Sequence, residues 1–240
     1  MIVQPRGSHV RLYTQHDHGL LSGELAAAWR DPETGAQLDA TLILAIALHD
    51  LAWRELDHTM QQPDKEGIPT DFLHWPEADK LRVYENGIEQ LAEIHPWAGL
   101  LLSRHYSSFV IEADEPQFHQ RQHLLQQRLR DEAAARGYNV GAEDADFELL
   151  RFLDVLSLIV CICEPGSDPE SHPVWLQSNV VEERFGYQVS WSGNDVIVDP
   201  FPFTEPTRVS IPWVEIPVSA SARNEDAQTR GLLTVQFRPV

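Results

Sequence analysis

One stretch constrains this chain more than any other: Thr41 to Asp57, TLILAIALHDLAWRELD, with the adjacent pair His49–Asp50 at its centre. Leu42, Ala45 and Ile46 lead to His49 at helical spacing on one face, so that face is expected to be buried. An imidazole and a carboxylate are costly to bury unless hydrogen bonds, an ion pair or a metal ion satisfy them. Taken alone, the pair also fits a hydrogen-bonded core histidine followed by a capping or ion-paired aspartate. The rest of the chain bears on that choice.

Three more segments place ligand-type side chains on apolar faces. Gln15 to Trp29, preceded by Thr14 as N-cap, reads as an amphipathic helix with His18, Leu21, Ser22, Leu25 and Trp29 on one stripe. His16 lies about 200° around an ideal helix from His18, so only one of them faces that stripe, and His18 is the candidate. Asp144 to Gly166 is the most apolar helix. Within it Asp154 stands between Phe147 and Leu150 on one side and Leu158 and Cys161 on the other. A carboxylate in such a stripe needs a compensating charge, supplied either by Arg151 three residues earlier or by a metal ion. Pro96 opens a helix in which His105 follows Leu101 and Leu102. His74, beside Phe72 and Trp75, belongs to a proline-rich stretch, residues 58–76, that reads as a long loop. Helices are also expected over Pro76–Ile94 and Asp114–Gly137. His119 and His123 on the latter sit among Gln and Arg and read as a solvated face.

Charge and cysteine usage narrow the function classes. The 240 residues carry 18 Lys and Arg against 37 Asp and Glu, a formal charge of −19. Such a surface repels nucleic-acid backbones and anionic lipid. It remains compatible with a small phosphorylated substrate where a metal or local Arg and Lys supply positive charge. Cys161 and Cys163, the only cysteines, suit reduced core thiols. MIVQPRGSHVRLY lacks the apolar run of a signal peptide, and no apolar run reaches membrane-spanning length, so a cytoplasmic protein is expected. The oligomeric state is left open, a homo-oligomer included.

Near residue 170 the texture changes. GYQVSW, DVIVDPFPF, RVSIPWVEIPV and GLLTVQFRPV are short β-prone runs that read as a small antiparallel sheet. Before them, only Ile2-Val3 or Val10-Arg11-Leu12 suggests a brief strand. The expected fold is therefore mainly α: a helical domain over residues 1–170 with an antiparallel β-rich segment, residues 171–240, packed on it.

His18, His49–Asp50 and Asp154, in that order on a helical domain, form a pattern that resembles the HD-domain metal-dependent phosphohydrolase superfamily. More closely, QHDHGLLSGELAAAW, HDLAWRELD, SRHYSSF and FLDVLSLIVCICEPG resemble DUF3891, a bacterial family of HD-like proteins that carries no established activity. The resemblance covers roughly residues 14–170 and extends to DPFPF. It implies an HD-like fold and a site for a divalent ion, Mn²⁺, Fe²⁺, Zn²⁺ or Mg²⁺, a choice that two imidazoles and two carboxylates also suit. HD-like proteins with further histidines hold a second metal, and His105 and His74 are the candidates here. Many HD phosphodiesterases carry HDxGK; here HDLAW places Trp53 at the lysine position, and Trp53 supplies neither proton nor cation. Arg54, Asp57, Lys80 and Arg104 are the charged residues nearest the motifs. Asp50, Asp57, His105 and Arg104 are accordingly the catalytic candidates, and His18, His49, Asp50, Asp154, His105 and His74 the metal ligands. The leading expectation is hydrolysis of a small phosphoester or nucleotide. The alternatives are a di-iron oxygenase, which needs His74 and His105 or equivalents, and a non-catalytic metal-stabilised binding or regulatory module.

Overall fold

Both ends of the chain meet in one sheet. In the computed structural model, which describes residues 1–31, 34–59, 69–218 and 228–240, strands β1 (Ile2–Arg6) and β2 (His9–Tyr13) form a hairpin. It pairs with strands from the far end: β3 (Gln188–Ser192), β4 (Asp195–Asp199), β5 (Thr207–Pro217) and β6 (Thr229–Arg238). The order across the six strands is β1-β2-β5-β6-β4-β3. All neighbours are antiparallel except β4 and β6, which run parallel. The expectation of a mainly α fold with an antiparallel β-rich C-terminal segment is therefore corrected: the architecture is α+β around a mixed sheet. Residues 1–170 are not an all-helical unit, because Val10 pairs with Ile216 and Leu12 with Val214. The alternation of buried Val10 and Leu12 with half-buried Arg11 suits a strand with one face on the core.

The helices pack against one another and against this sheet. They are α1 (Gln15–Ala28), α2 (Ala40–Ala47), α3 (Arg54–Thr59), α4 (Glu77–Ile94), α5 (Pro96–Ser107), α6 (Pro116–Ala135), α7 (Glu143–Ile162) and α8 (Ser178–Phe185). Thr14 caps α1 by accepting from the Asp17 amide at 2.9 Å, and Pro96 occupies the first turn of α5, where its missing N–H costs no helical bond. α1 lies against α2, α7 and β5. β1 is tied to the end of α7 by the Gln4 side-chain amide, which donates to the Ile162 carbonyl at 3.2 Å, and by the Arg6–Glu164 ion pair. Of the loop expected over residues 58–76, residues 60–68 lie outside the described residues. Among the described residues no helix is long and apolar enough to cross a membrane.

Close helix approach sets up the site. A Cβ on Gly23 of α1 would stand 2.4 Å from the Ala47 Cβ and 2.9 Å from its Cα. Only glycine lets α1 come this near the end of α2, and the same closeness brings His18 to His49. Gly87 of α4 repeats the device against Ala52, where an added Cβ would meet Ala52 Cβ at 2.6 Å.

Candidate metal centre

The His49–Asp50 pair does not lie within a continuous helix. α2 ends at Ala47, with Leu48 at φ −110°, ψ 15° and Asp50 at φ −111°, ψ 23°, before a 3₁₀ turn over Leu51–Trp53. On an unbroken helix, neighbouring side chains diverge by about 100°. The break turns both side chains towards one point. His18 reaches it from the first turn of α1, Asp154 from the middle of α7 and His105 from the last turn of α5; all five residues are buried.

The separations are short. His18 Nε2 lies 2.8 Å from Asp50 Oδ2, 3.2 Å from His49 Nε2 and 3.5 Å from Asp154 Oδ1. His49 Nε2 is 3.3 Å from Asp154 Oδ1, and His105 Nε2 is 3.9 Å from Asp154 Oδ2. His18, His49 and Asp154 offer one set of ligand atoms within 4.8 Å of one another; His49, Asp50 and His105 offer a second. The structure thus brings together five of the six expected ligands.

The outer nitrogens show why these atoms face inwards. His49 Nδ1 donates to the Ile46 carbonyl at 2.7 Å. His18 Nδ1 lies 2.6 Å from Ser157 Oγ, whose own proton goes to the Asp154 carbonyl at 2.8 Å, so Nδ1 is the donor. Both rings then turn an Nε2 lone pair inwards, the tautomer that a metal-ligating histidine adopts. Two lone pairs 3.2 Å apart beside two carboxylates repel unless a proton or a cation lies among them. His105 Nδ1 is buried without a partner among the described residues. This donor set fits a divalent ion.

The electrostatics agree. Burial alone would push the His49 pKa down, yet Asp50 and Asp154 outweigh it and hold it at about 9. For Asp154 burial acts upwards, but His49, followed by His105 and His18, brings it to about 2. Asp50 is likewise held below the ordinary carboxylate range against burial by His49 and His18. Burial lowers His105 to about 4 despite the pull of Asp154, so its ring is neutral at pH 7. Without a metal, a proton on His49 therefore offsets part of the charge of two ionised carboxylates.

Other expected residues lie elsewhere. Asp57 is buried but pairs with the Met1 ammonium at 3.0 Å and accepts from the His16 amide at 3.2 Å. Arg104 pairs with Glu143 and Asp144, each at 2.9 Å, and covers the Phe147 ring. The His74 side chain is 78% exposed and bonded to Asp71 at 2.7 Å. His74 is therefore not at hand for the second ion that the oxygenase alternative needs. Arg151, the alternative to a metal ion as partner of Asp154, bonds Glu148 at 2.7 Å instead.

A cavity of about 400 Å³ opens onto His18, Asp50, His105 and Asp154. Its walls include Gln15, Trp53, Lys80 and Arg151, together with Trp175 and Arg184 from beyond residue 170. Sequence reasoning passed over Ser157, Gln15, Trp175 and Arg184. Ser157 stands three residues after Asp154, so helical spacing could have found it. Nothing local marks Trp175 or Arg184 as neighbours of a site whose ligands are spread from His18 to Asp154.

No curated protein and no solved structure matches this chain. The DUF3891 family model, described as protein of unknown function, matches residues 1–217, which takes in the hairpin, α1 to α8 and the strands through β5. The chain belongs to the DUF3891 family.

Proposed function

We propose that this chain is a metal-dependent phosphoester hydrolase, with His18, His49, Asp50 and Asp154 holding a divalent ion and His105 placed for a second. The order of these ligands along the chain supports a kinship of the metal-binding motif with HD-domain phosphohydrolases. One observation carries the reading. Lone-pair donors converge at the base of a cavity whose remaining charged walls, Lys80, Arg151 and Arg184, are all cationic, in a chain of net charge −19. Cations gathered around an acceptor cluster suit an anionic substrate bridging the two. The two unbridged, buried cysteines suit a reducing, cytoplasmic compartment.

A bound Mn²⁺, Fe²⁺, Zn²⁺ or Mg²⁺ would supply Lewis acidity and a water of lowered pKa. The chain's own groups do the rest. Asp50 and Asp154 stay ionised across the physiological range, and the Nδ1–H bonds of His18 and His49 lock the ligating tautomer. Trp53 occupies the position of the HDxGK lysine and lines the cavity. Lys80, half-buried and paired with Glu77 at 2.9 Å, brings an ammonium to that cavity from α4 and takes the phosphoryl-binding role.

The test is elemental analysis of the purified protein, followed by a phosphoester panel with each of the four metals added. Turnover that needs metal and disappears in Asp154→Asn supports the hydrolase. Bound metal without turnover on any ester would leave the non-catalytic module standing instead.

A further inference from the structure

The cavity walls carry more information than the anion site. Trp53, Phe72, Val155 and Leu158 form an apolar wall beside the ligand cluster, and Val155, Leu158 and Trp53 are buried. Leu73, Phe109 and Trp175 also line the cavity while remaining 56%, 57% and 39% exposed, which places them at its mouth. Large apolar side chains left in water around a concave site mark a surface that a ligand covers. Neutral hydrogen-bonding side chains are few: Gln15, the Tyr84 hydroxyl and the donor-only indole N–H groups of Trp53 and Trp175. The Gln15 Oε1 is buried without a partner among the described residues, so it can accept one hydrogen bond from the occupant or from water. A sugar or a nucleobase, with several donors and acceptors to satisfy, would leave most of them unpaired against such walls.

We infer that the physiological ligand is an amphiphilic phosphoester. Its phosphoryl group meets the metal ligands and the Lys80, Arg151 and Arg184 cations, and a single apolar organic group, alkyl or aryl, fills the rest of the cavity and emerges past Phe109 and Trp175. The inference rests on the phosphoester reading and names its substrate class. A cavity of about 400 Å³ holds a phosphoryl group with a short alkyl chain or one aromatic ring system.

Binding of non-hydrolysable probes tests it. Mn²⁺-loaded full-length protein is titrated calorimetrically with methylphosphonate, hexylphosphonate, phenylphosphonate, and the phosphonate analogues of glycerol 3-phosphate and AMP in which a methylene replaces the ester oxygen. Each buried methylene adds about fourfold in affinity, so hexylphosphonate should bind at least about thirtyfold more tightly than methylphosphonate even when part of the chain stays in water. Hexylphosphonate and phenylphosphonate should also surpass the glycerol 3-phosphate and AMP analogues. Trp175→Ala and Phe109→Ala, at exposed positions where folding is safe, should weaken hexylphosphonate several-fold more than methylphosphonate. Equal affinity for methyl and hexyl probes, or a tighter hold on the AMP analogue than on hexylphosphonate, overturns the apolar substituent while leaving a phosphoester site in place. If the metal-loaded protein binds none of the five, the phosphoester reading falls and this inference falls with it.

Discussion

Metal binding at this centre should release a proton from His49. In the metal-free protein the His49 pKa is about 9, with Asp154 at about 2 and Asp50 below its ordinary range, so near neutral pH a cation displaces the His49 proton while both carboxylates are already bare. Ligands must be deprotonated to bind, so the apparent affinity rises tenfold per pH unit below the His49 pKa. Between pH 7 and 8.5 that amounts to about thirtyfold, or about 2 kcal/mol at about 1.4 kcal/mol per unit. The sign for stability runs the other way in the metal-free protein. The pKa of His49 is raised above its unfolded value near 6.5, so its contribution is complete below that value and is lost as pH rises towards 9. Metal-free protein therefore loses melting temperature across this window from this group, and the metal-induced rise widens. Anaerobic Mn²⁺ titration calorimetry at pH 7.5, in two buffers of different ionisation enthalpy, counts the proton directly. One proton per ion is expected from wild type and close to none from His49→Gln. An affinity flat between pH 7 and 8.5, with no proton released, would refute the reasoning.

Three other perturbations follow from named contacts. Wild type at a hundredfold excess of metal over its dissociation constant should gain roughly 2.7 kcal/mol, about 5–10 °C in melting temperature for a chain of this size, and Asp154→Asn should lose most of that rise in thermal melts. Gly23→Ala forces a methyl onto Ala47 and should cost about 1–3 kcal/mol in chemical denaturation, with Ala47→Gly in the same chain recovering part of it. His74→Ala, at an exposed side chain outside the cluster, should leave metal stoichiometry by elemental analysis unchanged.

The local helices were legible because their cues are local. The His18–Leu21–Ser22–Leu25 stripe and the Thr14 cap mark α1, and the apolar run around Asp154 marks α7. That His18, His49, Asp50 and Asp154 lie on buried faces followed from helical spacing; that they share one site was implied by the resemblance of their order to the HD-domain pattern. Four things were hidden. The break at Leu48–Asp50 has no proline or glycine to announce it, and the apolar period from Leu42 to His49 reads straight through it. The break is a tertiary effect, set where α1 and α4 crowd the chain through Gly23 and Gly87. The joining of the N-terminal hairpin to the C-terminal strands was hidden because β2 finds its partner some 200 residues away, and pairing at that separation leaves no mark on either strand's own sequence. α8, SNVVEERF, lay within a stretch dominated by strands, although Gly186 at φ 77° is the left-handed cap that ends it and was visible as a glycine. Asp57 was misplaced because nothing beside it signals the Met1 amino group arriving just ahead of β1.

The claim that five buried side chains form a metal site is tested most directly by metal content. Wild type and Asp154→Asn are exchanged into chelator, loaded with Mn²⁺ or Zn²⁺, desalted and assayed by elemental analysis, with circular dichroism showing that both are folded. Wild type is expected to retain one or two equivalents per chain and folded Asp154→Asn to retain none. A folded wild type without stoichiometric metal, or an Asp154→Asn protein that holds as much as wild type, would contradict the claim.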